Sequence, residues 1–225
     1  MDEVVDVLQG EHDARGGFLG FLTTREAAAY RAADRRAKEA VRDFEWSDRA
    51  TRIAGSLPAW RRCFPKATHA NLANRSDLRH HEFPNLTGVT WLNLSGCETF
   101  SICNETFAYL SELRELNLSG SWQDPTVWAV FRRAFDDHLF KYLRKLETLY
   151  LDDFEIPKFT GDFAVYLPRL RHLSLRRHSI RPDRLATILK ACKCPDMMHI
   201  DLRGCPWVYD LFKSIPIPGN IVISN

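Results

Sequence analysis

Apolar residues recur at three matched places in five stretches of this chain. They are Val89, Leu92 and Leu94; Leu113, Leu116 and Leu118; Leu146, Leu149 and Leu151; Leu170, Leu173 and Leu175; and Met197, Ile200 and Leu202. The starts lie 24, 33, 24 and 27 residues apart. In each stretch the fourth and sixth positions share one face of a short strand, because strand side chains alternate. The third and fifth positions point the other way. A thinner unit precedes these at Ala67, Ala70 and Leu72, and Ile221 with Ile223 predicts a last strand near the end. Between the strands the spacing changes to that of helices. Phe107, Leu110 and Leu113 predict a short helix starting near Asn104, and Leu185, Ile188 and Leu189 predict another behind Pro182. The longest interval holds Val127, Val130, Phe131, Phe135, Leu139 and Tyr142, which predict an amphipathic helix over Thr126–Tyr142. Ahead of the repeats, Thr23-Thr24-Arg25-Glu26 reads as a capped helix entry leading into an alanine-rich run that reaches Val41.

One strand-and-return unit cannot bury its apolar side alone. Stacked units cover one another, and their strands then pair in parallel. Period and pattern together are those of leucine-rich repeats. The ninth position of each unit turns inward, and Cys97, Ser121 and Cys205 suit it, whereas Phe154 and His178 depart. The expected fold is an α/β leucine-rich-repeat solenoid, a short horseshoe with parallel strands on its concave face, over residues 63–225. A small helical domain of about three helices occupies 1–62. It should rest on the first repeat through Ile53, Leu57, Trp60 and Phe64.

The segment from Leu8 to Trp46 resembles an F-box, and its pairing with downstream repeats resembles the F-box leucine-rich-repeat family. The matching features are Leu8, Phe18 and Leu22, the Thr-Thr-Arg-Glu-Ala-Ala run at 23–28, the helix-favouring stretch from Arg35 to Val41, and the closing Trp46. The chain departs from the family at Gln9, where proline usually follows the opening leucine, and at Asp34-Arg35-Arg36. The resemblance implies docking on a Skp1-type adaptor through Leu8, Phe18, Leu22 and Tyr30. It further implies a substrate-recognition role in a Skp1-cullin-F-box ubiquitin ligase, with an unknown protein substrate held by the repeats. The alternative is a stand-alone protein-binding scaffold whose helices cap the solenoid.

Outward strand positions align into columns. The third-position column is Trp91, Glu115, Thr148, His172 and His199, and the fifth is Asn93, Asn117, Tyr150, Ser174 and Asp201. The seventh and eighth add Asp152 and Asp153, then Arg176 and Arg177, then Arg203. Adjacent strands lie about 4.8 Å apart, so the acidic and basic pairs can satisfy each other. The alternative to that pairing is a bidentate arginine site for a carboxylate or phosphate of a partner. Trp91 and Tyr150 are the candidate aromatic anchors.

Composition excludes more than it assigns. A net charge of +2 on 225 residues gives no electrostatic case for nucleic acid. No apolar run approaches the length of a membrane span, and the acidic Met1-Asp2-Glu3 start has no secretory character. Six cysteines at this density suit a reducing compartment, so a cytoplasmic or nuclear location is expected. Cys192, Cys194 and His199 fall short of four zinc ligands. His80-His81-Glu82 lacks the zinc-protease spacing, and Ser119-Gly120-Ser121 lacks the setting of a nucleophile. No cofactor, metal or enzymatic core is expected.

Overall fold

A computed structural model describes residues 18–97, 103–120, 136–153, 160–178, 182–192, 197–205 and 217–224. Seven strands form one parallel sheet in chain order: β1 (His69–Asn71), β2 (Trp91–Asn93), β3 (Glu115–Asn117), β4 (Thr148–Tyr150), β5 (His172–Ser174), β6 (Met198–Asp201) and β7 (Ile221–Ser224). The register aligns Ala70, Leu92, Leu116, Leu149, Leu173, Ile200 and Ile223 as successive partners. The thin first unit and the last strand therefore both join the ladder. Leu92, Leu116, Leu149 and Leu173 are wholly buried, as are the first-position residues Val89, Leu113 and Leu146.

The ladder continues past each strand into a turn. The amides of Leu72, Leu94, Leu118, Leu151, Leu175 and Leu202 each donate to a carbonyl of the next coil, and the amides of Asn74, Gly96, Gly120, Asp153 and Arg177 do the same two residues later. The side chains of Asn71, Asn93, Asn117 and Asp201 accept the backbone N–H two residues on, and so bend the chain out of the strand. The eighth position then takes a left-handed conformation in every described coil: Asn74, Gly96, Gly120, Asp153, Arg177 and Gly204 all have positive φ. Cys97 and Cys205 close the turn, each thiol donating to a carbonyl of the preceding coil, Leu72 and Leu175, at 3.1 Å. Burial pushes the Cys97 thiol up to about 11, so it acts as a packing group and not as a nucleophile.

The return segments are mostly short 3₁₀ helices: His80–Leu86, Asn104–Leu110, Asp137–Tyr142 and Asp162–Tyr166, followed by one α-helix, Pro182–Ala191. These elements stack on one another in chain order behind the sheet. The helix expected over Thr126–Tyr142 does not run through. Its last part is a separate 3₁₀ helix with Asp136 as an extended N-cap accepting from the His138 amide, and residues 126–135 lie outside the described residues.

The N-terminal helices are α1 (Thr24–Tyr30), α2 (Arg35–Asp43) and α3 (Leu57–Cys63). Thr23 and Glu26 form the expected capping box on α1. The alanine-rich run is broken because Asp34, in extended conformation, caps a new helix at Arg35. Ile53, Leu57, Trp60 and Phe64 are buried in the same continuous core as the repeat leucines. Hydrogen bonding to β1 reaches back into this region: the Thr68 amide donates to the Trp46 carbonyl, and the Ile53 amide to the Asn71 carbonyl. Arg75, itself buried, locks the join by donating to the Gly55 carbonyl at 2.9 Å while pairing twice with Asp77.

Candidate functional site: the concave face

The face opposite the leucine ladder is a parallel sheet of outward side chains. Its third-position column begins with His69, on β1, and runs through Trp91, Glu115, Thr148, His172 and His199 to Val222. Ring planes stack along it in two runs. His69 stacks on Trp91 at 5.7 Å between centroids. Tyr150, from the neighbouring column, meets His172 at 5.5 Å, and His172 stacks on His199 at 5.1 Å.

Trp91 corrects the sequence expectation. It lies in the outward column but is only 8% exposed. His69 covers one part of the ring, and the Arg49 guanidinium sits over it, 5.0 Å from the centroid. The covering residues come from β1 and from the segment before it, neither of which the five-stretch alignment includes. Tyr150, His172 and His199 remain half-buried and reachable.

The two imidazoles face each other through their Nδ1 atoms at 3.0 Å, and His199 Nε2 lies 2.6 Å from Ser224 Oγ. One proton must lie between the two Nδ1 atoms. Burial first, and the neighbouring His199 second, hold the His172 ring below the ordinary imidazole range. His69 is lowered in the same way by burial and then by Arg49. Burial first, and then the Glu115 carboxylate, push the Tyr150 phenol up.

The charged rim resolves into internal pairs. Arg177 pairs with Asp153, its Nε donating at 2.8 Å, and that contact pulls the Asp153 carboxyl down. Arg203 pairs with Asp201 on its own coil and pulls that carboxyl down likewise. Asp152 accepts from the Ser174 hydroxyl and from the backbone amide of Arg176, not from its guanidinium. Arg176 alone of these basic residues has a buried Nε without a hydrogen-bond partner. Ser174 and Asp201, although in an outward column, are buried by these neighbours.

Of the residues the F-box resemblance singled out, Leu8 lies outside the described residues. Phe18 is 43% exposed and meets Tyr30 edge-on at 5.7 Å, while Leu22 and Tyr30 pack partly buried against the core. Phe21, which the resemblance did not include, is 83% exposed beside them. Among the described residues no group of three or more His, Cys, Asp or Glu side chains could hold a metal ion, and Cys63, Cys97, Cys103, Cys192 and Cys205 are free thiols. Among the same residues no helix is long and apolar enough to cross a membrane.

Geometry and register define the class: a parallel solenoid of the leucine-rich-repeat type. No family model matches the chain. No curated protein matches it either. Similar solved structures include Toll in its complex with Spatzle from Drosophila, at TM-score 0.47 and 12% identity over 65% of this chain and 18% of that chain. A second is TLR13 in its complex with ssRNA13, at 0.48 and 18% over 74% of this chain and 23% of that chain. A third is internalin C2 from Listeria monocytogenes, at 0.42 and 15% over 89% and 90%. The chain thus spans less than a quarter of the Toll and TLR13 chains.

Proposed function

We propose that this chain is a leucine-rich-repeat scaffold that binds a protein partner across its concave face, with α1–α3 closing the end of the solenoid as a cap. The observation that carries this reading is the reachable ring run of Tyr150, His172 and His199 on a continuous parallel sheet. Rings already held against one another supply contact area at small entropic cost, and tyrosine is among the residues enriched at energetically dominant interface positions. The cap is supported by the burial of Ile53, Leu57, Trp60 and Phe64 in the repeat core.

A second reading is favoured by one observation, the exposure of Phe18 and Phe21 at the outer edge of the cap. On that reading the helices dock on a Skp1-type adaptor and the repeats present a substrate to a ubiquitin ligase. One set of variants separates the two. Tyr150→Ala with His172→Ala should abolish retention of a partner captured by wild type, while Phe18→Asp with Leu22→Asp should leave it intact. Binding of purified Skp1-type adaptor to wild type, lost in the Phe18→Asp/Leu22→Asp chain, supports the second reading. A partner retained by both double variants but lost on changing the convex residue Val165 overturns the concave-face reading.

A further inference from the structure

The best-formed recognition geometry on the face is already filled, and by the chain itself. Seven positions separate Trp46 from Ile53, where four separate Thr68 from Leu72, although both pairs occupy the same places in the ladder. The three extra residues form a turn held by Asp48, whose Oδ1 accepts from the amides of Ala50 and Thr51. Asp48 Oδ2 accepts from the amide and hydroxyl of Thr24, which ties the turn to the first residue of α1. The Asn71 side-chain amide donates to the Arg49 carbonyl and fixes the backbone, so the Arg49 side chain is laid across the sheet.

There it makes two contacts of the kind that distinguish arginine from other cations. Its guanidinium sits over the Trp91 ring. Its fork meets Glu115 with both branches, Nη2 to Oε2 at 2.9 Å and Nη1 to Oε1 at 3.2 Å. A flat aromatic floor with a carboxylate at its edge matches a planar, delocalised, two-pronged cation and fits an ammonium poorly. The Glu115 side chain is 21% exposed and the Arg49 side chain 53%. The carboxylate therefore belongs to the sheet, and the arginine is the part that solvent and a competitor can reach. Half-exposed ion pairs contribute little net stability, so this one can be displaced.

We propose that Trp91, Glu115 and His69 form an arginine-recognition subsite, that Arg49 occupies it in cis, and that a partner engages it by presenting an arginine side chain in exchange. The inference rests on the concave face being the binding face, and it assigns the N-terminal half of that face its ligand chemistry. The turn at Asp48 makes Arg49 an intramolecular competitor, effective because its tether is short. Through Asp48 and Thr24 the turn that carries it is anchored to the first residue of α1.

The test uses the full chain and acetyl-Gly-Gly-Arg-Gly-Gly-amide, with the Lys and Gln analogues, in calorimetric or NMR titration. Arg49→Ala and Arg49→Gln, each shown folded by circular dichroism, should bind the Arg peptide about fivefold more tightly than wild type. The Lys peptide should gain less and the Gln peptide nothing. Adding Glu115→Gln should remove the gain. No gain in either folded Arg49 variant, equal gain for the Gln peptide, or a gain that survives Glu115→Gln would each overturn the proposal. If the proposal fails while Tyr150→Ala/His172→Ala still abolishes partner binding, the arginine subsite falls and the concave-face reading stands. The reverse pattern removes Tyr150 and His172 from the binding surface and leaves the arginine subsite as the contact on that face.

Discussion

At His172 and His199 two half-buried imidazoles meet Nδ1 to Nδ1 at 3.0 Å, and His172 ties the face to acid. The folded His172 binds its proton less readily than an unfolded histidine does, owing to burial and then to His199. Because the unfolded chain takes up more protons, stability is full above the ordinary value of 6.5 and is lost as pH falls toward the lowered one. His69 acts in the same direction. Melting temperature should therefore fall between about pH 7.5 and 5.5 in wild type. His172→Asn should show a shallower fall, and an equally steep one would remove His172 as a source. The sequence marks both histidines, since alternation alone sends them outward. It cannot mark Trp91 as covered, because Arg49 comes from a turn outside the repeat pattern. The eighth position shows a similar gap. Gly96, Gly120 and Gly204 hint at a left-handed turn, but Asp153 and Arg177 in the same column read more readily as charge. At Gly204 an added Cβ would come 2.9 Å from the Arg177 side chain, so that turn needs glycine for space as well as for φ.

Among the elements, the strands were the most legible and the return segments the least. Three residues suffice in β1–β5 because two inward apolar residues flanking one outward residue recur from coil to coil. Return segments are short and tightly turned, and 3₁₀ helices share apolar spacing with α-helices over so few residues. The expected run through Tyr142 stops because Asp136 caps afresh, its Oδ1 also accepting from the Asn104 side chain at 2.8 Å. The join between α3 and the first coil was foreseen through its apolar residues, but its polar lock was not. Arg75 holds the ninth position, which turns inward at Cys97 and Cys205 in later coils, and from there it bridges Gly55 to Asp77 while buried. Arg75→Met should keep the bulk and lose these bonds, lowering unfolding free energy by about 2–3 kcal/mol. Chemical denaturation measures this, and a change within about 0.5 kcal/mol would show that the lock is dispensable.

At the scale of the molecule, one core runs from Leu19 beneath the cap to Ile221 on the last strand. Such a core has no internal boundary at which the coils could slide, because a slip of one residue would send every leucine to the outer face. The columns, the ring runs and the Arg49 contact all depend on that register. It is tested most directly by cross-strand cysteines at outward positions. Thr148 and His172 are Cα partners on β4 and β5, at the strand spacing of about 4.8 Å that a disulfide can bridge. Under mild oxidation, Thr148→Cys with His172→Cys should form this crosslink, identified by peptide mass mapping against the native thiols. The offset pair Thr148→Cys with Ser174→Cys should not crosslink. Crosslinking of the offset pair in preference to the aligned one would contradict the ladder and the face built on it.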